Sequence, residues 1–246
     1  MYDPIKDGVA KTSHSVRYNV HQPPERMSSW VHCYWELKTE ATLEADFLLH
    51  ALPDACVNIL FNLRQTEIAG VTALRTQHEV LNLGRSFHYA GIELLPGVWR
   101  GNPQEIAHQF VGSAYTGPLP LVAMNKKLAG LQFAAMQPLM TELVDGFIAA
   151  HLVVSNLVTE KILANFNRIS SVADMAALVG LSPRQLQRTL KHSTGFSPHD
   201  LLKVMRVQQS FRQHYLDLYA DQSHFIHSFR KVTGFTPGQY TDTFDV

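Results

Sequence analysis

The sequence predicts an α+β protein in which a β-rich N-terminal half, a barrel or sandwich with added helices, precedes an all-α half of helix-turn-helix units. Three observations predict this class. Alternating apolar and polar residues dominate the first hundred residues. After Pro103 the apolar residues recur at helical spacing, first from Gln104 to Phe110 and then from Leu119 to Leu152. Near the C-terminus a segment of 17 residues occurs twice.

Five alternating segments predict the strands of the N-terminal half. They cover residues 28–37, 55–63, 68–72, 79–83 and 89–95. Most are separated by glycine or proline residues typical of turns. In the first segment, the side chains expected on one apolar face are Val31, Cys33, Trp35 and Leu37. Cys33 is therefore interpreted as a small core residue.

The second segment carries the polar residues Cys56, Asn58 and Asn62 opposite an apolar face. These three side chains are the candidates for a ligand pocket in the N-terminal half. Pairing with a neighbouring strand, or exposure to solvent, explains them equally well.

Signals for helix boundaries become sharp after residue 153. Apolar spacing predicts one helix over residues 157–166 and another over residues 172–179, closed by Gly180. Ser182 and Gln185 then form a capping box, with proline at the first helical position between them. Two short helices joined by a turn of about three residues form the helix-turn-helix pattern.

The duplicated segment is the strongest signal in the chain. SPRQLQRTLKHSTGFSP (residues 182–198) and DQSHFIHSFRKVTGFTP (residues 221–237) align without gaps at an offset of 39 residues. Each copy begins with a helix-capping residue and places apolar residues four apart. The residues expected to end each helix and to begin the next are Gly195 and Gly234, and Pro198 and Pro237. Two copies of one capped unit argue against a generic helical bundle.

The polar face of the first copy has the chemistry of a DNA-reading surface. It carries Arg184, Gln187, Arg188 and Lys191. Arginine can pair bidentately with guanine and glutamine with adenine, and lysine can neutralise a phosphate. The net charge of the chain is zero, but residues 170–246 hold 8 basic and 6 acidic residues. From one helix alone, solvated surface side chains are the better explanation; the duplication favours DNA binding.

Residues 153–246 resemble the DNA-binding domain of the AraC family of transcriptional regulators. The matching segments are SPRQLQRTLK, TGFSP, LLKVMRVQQ, YADQSHFIHSFRKVTGFTP and GQY. Residues 1–152 resemble, more weakly, the β-rich sensor domains of one branch of that family, chiefly through CYWEL and LPDACVNILFNL. The resemblance implies a sensor or dimerisation domain over residues 1–152 and a DNA-binding domain over residues 153–246.

In that family, two helix-turn-helix units place their recognition helices in successive major-groove segments on one face of the DNA. The resemblance therefore implies a sequence-specific transcriptional regulator, such as an activator, that binds double-stranded DNA. It also implies RNA polymerase, a small-molecule effector and a second copy of the chain as partners. The base-reading candidates that it implies are Arg184, Gln187 and Arg188 in the first unit, and Gln222, Ser223 and His227 in the second. His227 departs from the family, in which arginine is common at this position.

The second unit is shortened relative to the family. The stretch between Arg206 and Tyr219 is roughly ten residues shorter. We expect Pro198 to about Leu218 to form one continuous helix, near 20 residues and about 30 Å long. The second recognition helix (221–232) is then expected at an altered angle or without support, so that the first (182–193) does most of the base reading. The alternative is an interaction protein that has lost specific DNA binding.

Enzymes and metalloproteins lack their usual signals in this sequence. A cupin-like oxygenase needs clustered histidines and carboxylates, and a DNA-repair module needs a zinc-bound cysteine supported by other cysteines. The chain has two cysteines, fewer than the four ligands of a structural zinc site. Its histidines show no HxH or HExxH spacing; they include His14, His21, His32, His50, His78, His88 and His108. We therefore expect no enzymatic activity, no cofactor and no metal.

Composition favours a folded protein of the cytoplasm. Hydrophobic residues make up 46% of the chain and charged residues 17%, a balance that excludes disordered and fibrous classes. No apolar run approaches the ~18 residues that span a bilayer, and the N-terminus lacks a secretory signal pattern. A cytoplasmic location without a membrane partner is expected.

Overall fold

The computed structural model describes residues 3–72, 74–102, 106–107 and 113–245 of the 246-residue chain. Strands dominate the N-terminal half and helices the C-terminal half, so the predicted α+β class is confirmed. In chain order the strands are β1 (Val9–Ala10), β2 (Val16–His21), β3 (Val31–Thr39), β4 (Phe47–Ala51), β5 (Val57–Asn62), β6 (Ala69–Thr72), β7 (Glu79–Gly84), β8 (His88–Leu94), β9 (Ile106–Ala107) and β10 (Phe244–Asp245). The helices are α1 (Leu121–Leu128), α2 (Phe133–Ala149), α3 (Leu157–Ala164), α4 (Val172–Val179), α5 (Pro183–Thr194), α6 (Pro198–Ser210), α7 (Gln222–Thr233) and α8 (Pro237–Thr243).

Two sheets form the N-terminal half. The main sheet has the order β2-β3-β8-β5-β6-β9 and is antiparallel except for the β6–β9 pair; β4 and β7 form a second, two-stranded sheet. Trp35 of the main sheet shares an apolar cluster with Phe47 and Leu49 of the second sheet, so the sheets face each other as in a sandwich. On the other side of the main sheet, Ile92 packs in a cluster that contains Met140 of α2.

Strands β3 and β5 to β8 correspond to the five predicted segments, whereas β2 and β4 were not predicted. Helices α1 and α2 confirm the helical spacing predicted from Leu119 to Leu152. The helical prediction for Gln104 to Phe110 is wrong at Ile106–Ala107, because these residues form β9 and pair in parallel with β6. The rest of that segment lies outside the described residues.

A β-bulge interrupts the pairing of β3 with β8 between Val31 and Cys33. His32 is the additional residue, so the side chains before and after it change faces relative to a regular strand. Val31 consequently packs with Tyr34 in the cluster under α2. The prediction of one apolar face is therefore wrong at Val31. It holds for Cys33, Trp35 and Leu37, which share one cluster. Cys33 is buried in the core between the sheets, as predicted.

The C-terminal helices begin and end mostly where the capping residues predict. The predicted continuous helix from Pro198 to Leu218 is wrong, however, because α6 ends at Ser210 and the chain is extended at His214 before a short 3-10 turn over Tyr215–Asp217. This break lets Phe211 and Tyr215 pack against α7, so tertiary packing overrides helix propensity. Among the described residues, no helix has both the length and the apolarity needed to cross a bilayer.

The two halves share a buried interface. β1 pairs with β10 in antiparallel fashion, and Gln208 of α6 bridges the backbone of Ile5 and Pro53. His50 of β4 is 2% exposed; its ring stacks on His78 and on Phe244, at centroid distances of 4.8 Å each. Burial, followed by the neighbouring His78, lowers the pKa of His50 to about 4.

Candidate nucleic-acid interface

Helix α5 is held at both ends by the residues predicted to cap it. The Ser182 hydroxyl accepts a hydrogen bond from the Gln185 backbone N–H, and the Gln185 side chain accepts one from the Ser182 N–H at 3.0 Å. Gly195 ends the helix in the left-handed conformation, with φ of 72°. These caps fix the length and the direction of α5.

The two faces of α5 differ in exposure as the repeat predicts. Leu186 and Leu190 are fully buried against the neighbouring helices of the C-terminal half. The exposed side chains line a shallow surface concavity and are Arg184, Gln187, Arg188, Lys191 and His192. Within the described part of the chain, neither Arg184 nor Arg188 has an ion-pair or side-chain hydrogen-bond partner. Their guanidinium groups therefore remain available to a ligand.

Lys191 differs from the two arginines. Its Nζ donates a hydrogen bond to the carbonyl oxygen of Gly195 at 2.8 Å. This contact satisfies a carbonyl at the C-terminal end of α5, where a positive charge is favourable. Lys191 is exposed as well, so its amine can approach a phosphate beside the arginine pair.

Helix α7 repeats the construction of α5. Asp221 caps it by accepting a hydrogen bond from the His224 N–H at 2.8 Å, and Gly234 ends it at φ of 81°. Both helices end with a buried threonine whose hydroxyl donates to the carbonyl four residues earlier and accepts from a phenylalanine N–H two residues later; these are Thr194 and Thr233. The candidates Gln222, Ser223 and His227 are exposed on α7. The duplication seen in the sequence therefore extends to individual hydrogen bonds.

Aromatic packing supports α7 despite the shortened stretch between Arg206 and Tyr219. Tyr215 stacks on Phe225 at 5.0 Å, and Tyr219 lies 5.3 Å from the same ring. Phe211 packs against Phe229 at 5.1 Å. The expectation that α7 lacks support is therefore wrong, since the short segment after α6 supplies large side chains instead of a helix.

A loop of the N-terminal half contacts the C-terminal ends of both α5 and α7. This strap comprises residues 74–78, between β6 and β7. Leu74 lies beside Gly195, within 3.5 Å of where a Cβ would stand. His78 donates its backbone N–H to the carbonyl oxygen of Val232 at 2.8 Å, two residues before Gly234. No sequence signal predicted this contact, because it joins segments far apart in the chain.

The contact with the strap predicts unequal costs for two glycine substitutions. Gly180 and Gly234 both end helices at positive φ, of 70° and 81°. A Cβ on Gly180 would meet nothing within 4 Å, whereas one on Gly234 would lie 2.6 Å from His78. We expect Gly180→Ala to lower the free energy of unfolding by about 1 kcal/mol and Gly234→Ala by about 2–3 kcal/mol. Denaturant titration of both variants measures the difference, and equal costs would contradict the contact.

The candidate pocket residues do not all meet. Cys56 and Asn58 line a cavity of about 70 Å³ between the two sheets. Asn62 lies elsewhere: its side-chain oxygen accepts the backbone N–H groups of Arg64 and Gln65, and so holds the turn after β5. The prediction of Asn62 as a pocket residue is therefore not supported by its position, since a turn already uses its side chain.

Three acidic residues of the cavity were not predicted. Asp7, Asp54 and Glu93 line it together with Arg75 of the strap. Burial raises the pKa of Asp7 to about 6, and raises the pKa of Asp54 well above its usual value. The cavity thus combines protonatable acids with one guanidinium group. These residues come from four separate segments, so no local pattern in the sequence marks them.

Comparison with known proteins yields few matches. Residues 19–114 match the family described as a domain of unknown function, DUF6597. No curated protein matches the sequence. Among solved structures, the chain is similar to ToxT from Vibrio cholerae, with 10% sequence identity and a TM-score of 0.43 over 92% of this chain and 97% of that one. A TM-score below 0.5 does not establish a shared fold, so no inference rests on this likeness.

Proposed function

We propose that this protein is a sequence-specific DNA-binding transcriptional regulator in which α5 does most of the base reading. The observation that carries the proposal is the exposed face of α5, where Arg184 and Arg188 stand one turn apart and neither guanidinium group is paired with another described residue. A capped helix of 12 residues with such a face fits the major groove. The duplicated units and the resemblance of residues 153–246 to the AraC family support the same function.

Each side chain on this face has a distinct part in the proposal. Arg184 and Arg188 donate bidentate hydrogen bonds to guanine edges, and Gln187 pairs with adenine. Lys191 contacts a phosphate and sets the register of the helix on the duplex. On α7, the exposed Gln222, Ser223 and His227 offer no guanidinium group at the base-reading positions, so α7 contributes less to sequence discrimination.

We also propose that the cavity between the sheets is the effector site. Its wall includes Arg75, which belongs to the strap and forms an ion pair with Glu79 at 3.5 Å. A ligand that binds Arg75 would shift the strap, which touches the ends of α5 and α7. Effector binding in the N-terminal half would thus reach the DNA-reading helices. Contact with RNA polymerase and pairing of two copies stay predictions from the resemblance.

Selection from random DNA tests the function. The full chain is incubated with a pool of random duplexes, bound molecules are enriched, and the affinity for the selected site is compared with that for a scrambled site at several salt concentrations. We expect a preference of about 10³-fold or more, and an affinity that falls steeply with salt. Absence of enrichment, or equal affinity for both duplexes, would favour the interaction protein that has lost specific DNA binding.

Variants on the two helices test the division of labour. We expect Gln222→Ala and His227→Ala to weaken binding to the selected site less than about threefold, because in this proposal α7 contributes little to base reading and neither side chain carries a guanidinium group. Arg188→Ala is expected to weaken it by roughly fivefold or more. Equal losses on both helices would show that the second unit reads DNA as strongly as the first.

A further inference from the structure

His32, Cys33 and Glu93 converge at the edge of the core between the sheets. His32 Nδ1 lies 3.1 Å from one carboxylate oxygen of Glu93, and Cys33 Sγ lies 3.8 Å from the other. One nitrogen, sulfur or oxygen atom of each residue lies within 4.8 Å of those of the other two. The spacing of histidines in the sequence gave no reason to expect this cluster, because its three potential ligand atoms are of different kinds and come from two strands.

The bulge in β3 creates this convergence. Adjacent residues of a regular strand point to opposite faces of the sheet, so His32 and Cys33 could not both face Glu93. The additional residue in β3 is His32 itself, and Glu93 of β8 is directly paired with Cys33. Bulges can re-aim a side chain in this way and are over-represented at sheet edges, at barrel rims and next to active sites. The local distortion thus has one visible result, a triad of N, S and O donors.

The donor atoms of the triad are already in mutual contact. His32 Nδ1 and one Glu93 oxygen are shielded from solvent and lie 3.1 Å apart, and Cys33 Sγ donates to the other Glu93 oxygen at 3.8 Å. A cation between the three side chains would replace these contacts with bonds to all three donor atoms.

We propose that His32 Nδ1, Cys33 Sγ and the Glu93 carboxylate bind a zinc ion. Zinc is bound in proteins by imidazole nitrogen, thiolate and carboxylate, and three protein ligands leave a fourth position open. Cys33 loses its proton to solvent as the zinc–sulfur bond forms. The thiolate and carboxylate charges then balance the two charges of the ion, so the assembly of zinc and its ligands is neutral. The fourth position is taken by water.

A second set of contacts orients the histidine. Asp3 accepts a hydrogen bond from His32 Nε2 at 3.0 Å, the arrangement in which a carboxylate holds a zinc-binding imidazole by its other nitrogen. Asp3 also pairs with Arg212, in the segment between α6 and α7. The proposed site is therefore linked through two side chains to the half that carries α5 and α7. The zinc site itself does not depend on the proposed DNA binding.

The site has an entry path. A cavity of about 350 Å³ reaches the triad from the surface. Its wall includes Asp3, His32, Cys33, Glu93 and Arg212. An ion can thus reach the ligands without unfolding of the sheet, as a regulatory or exchangeable site requires.

Titration of the full chain with Co²⁺, followed by competition with Zn²⁺, tests the proposal. We expect one equivalent of Co²⁺ to bind with the near-ultraviolet absorption of a thiolate–cobalt bond, and Zn²⁺ to abolish that absorption. Cys33→Ser should remove the band, and His32→Gln and Glu93→Gln should each weaken binding by at least tenfold. Asp3→Asn, a positioning variant, should weaken it by about 10–100-fold while leaving the band in place.

Two controls keep the test decisive. Cys56→Ser retains Cys33 and should keep the thiolate band. Loss of the band in Cys56→Ser but not in Cys33→Ser would show that Cys56 is the ligand, and would overturn the assignment of Cys33. If Cys33→Ser does not fold, the rise in melting temperature that Zn²⁺ causes in the wild-type chain and its absence in His32→Gln replace that measurement. No saturable binding of Co²⁺ or Zn²⁺ to the folded wild-type chain would overturn the proposal.

Discussion

Replacing Arg184 and Arg188 together by alanine is expected to reduce the preference for the selected DNA site by roughly 25-fold or more. Each bidentate contact between arginine and guanine discriminates by about 1–3 kcal/mol, which is roughly 5- to 150-fold. Both side chains are exposed, so the fold should be preserved. The measurement is the ratio of dissociation constants for the selected and the scrambled duplex, at one fixed salt concentration.

Matched variants separate base reading from charge. Arg188→Lys keeps the positive charge but loses the planar pair of donors, so it should lose discrimination while affinity for the scrambled duplex stays nearly unchanged. Arg64→Ala removes one exposed arginine from the turn after β5, far along the chain from α5, and should alter neither quantity. An equal loss of affinity for both duplexes in Arg188→Lys would show that the α5 face only attracts phosphates.

Lowering the pH from 7 to 5 is expected to destabilise the wild-type chain relative to His50→Phe by about 2 kcal/mol. The pKa of His50 is about 4 in the folded state and about 6.5 in an unfolded chain. Between these values the unfolded state binds the extra proton, so stability falls as the pH drops below 6.5 and stops falling near 4. Phenylalanine keeps an aromatic ring against Phe244 but cannot titrate.

Denaturant titrations of the wild-type chain and of His50→Phe, each at pH 7 and pH 5, measure how much more the free energy of unfolding of the wild-type chain changes with pH. Asp7, whose pKa is raised to about 6, changes stability in the opposite sense, so the comparison between variants rather than the wild-type curve isolates His50. His14→Gln, which replaces an exposed histidine, serves as the control and should follow the wild-type chain. If His50→Phe shows the same pH dependence as the wild-type chain, His50 is not held neutral at the interface.

Features set by neighbours in the chain were predicted well from the sequence. The caps at Ser182 and Asp221 and the glycines that end α5 and α7 depend on residues within one turn, and the structure confirms them. The repeat also identified which side chains are buried, because the spacing of Leu186 and Leu190 leaves only one helix face for the core. Local rules were sufficient at these positions.

Features set by distant packing were not predicted. The end of α6 at Ser210 depends on aromatic contacts with α7, and the displacement of Val31 depends on one additional residue in the pairing with β8. The acidic cavity and the strap join segments that lie far apart in the sequence. The convergence of His32 and Glu93 is of the same kind, since the two residues are separated by 61 positions.

The pairing of β1 with β10 limits how the protein can move. Val9 lies opposite Asp245 and Ala10 opposite Phe244, so the polypeptide closes into a ring. Two halves joined only by a linker could move apart freely. Here they cannot separate without breaking the β1–β10 hydrogen bonds. The effector signal that we propose would therefore pass from the sheets to the helices as a small tilt or slide across this interface, rather than by separation of the two halves.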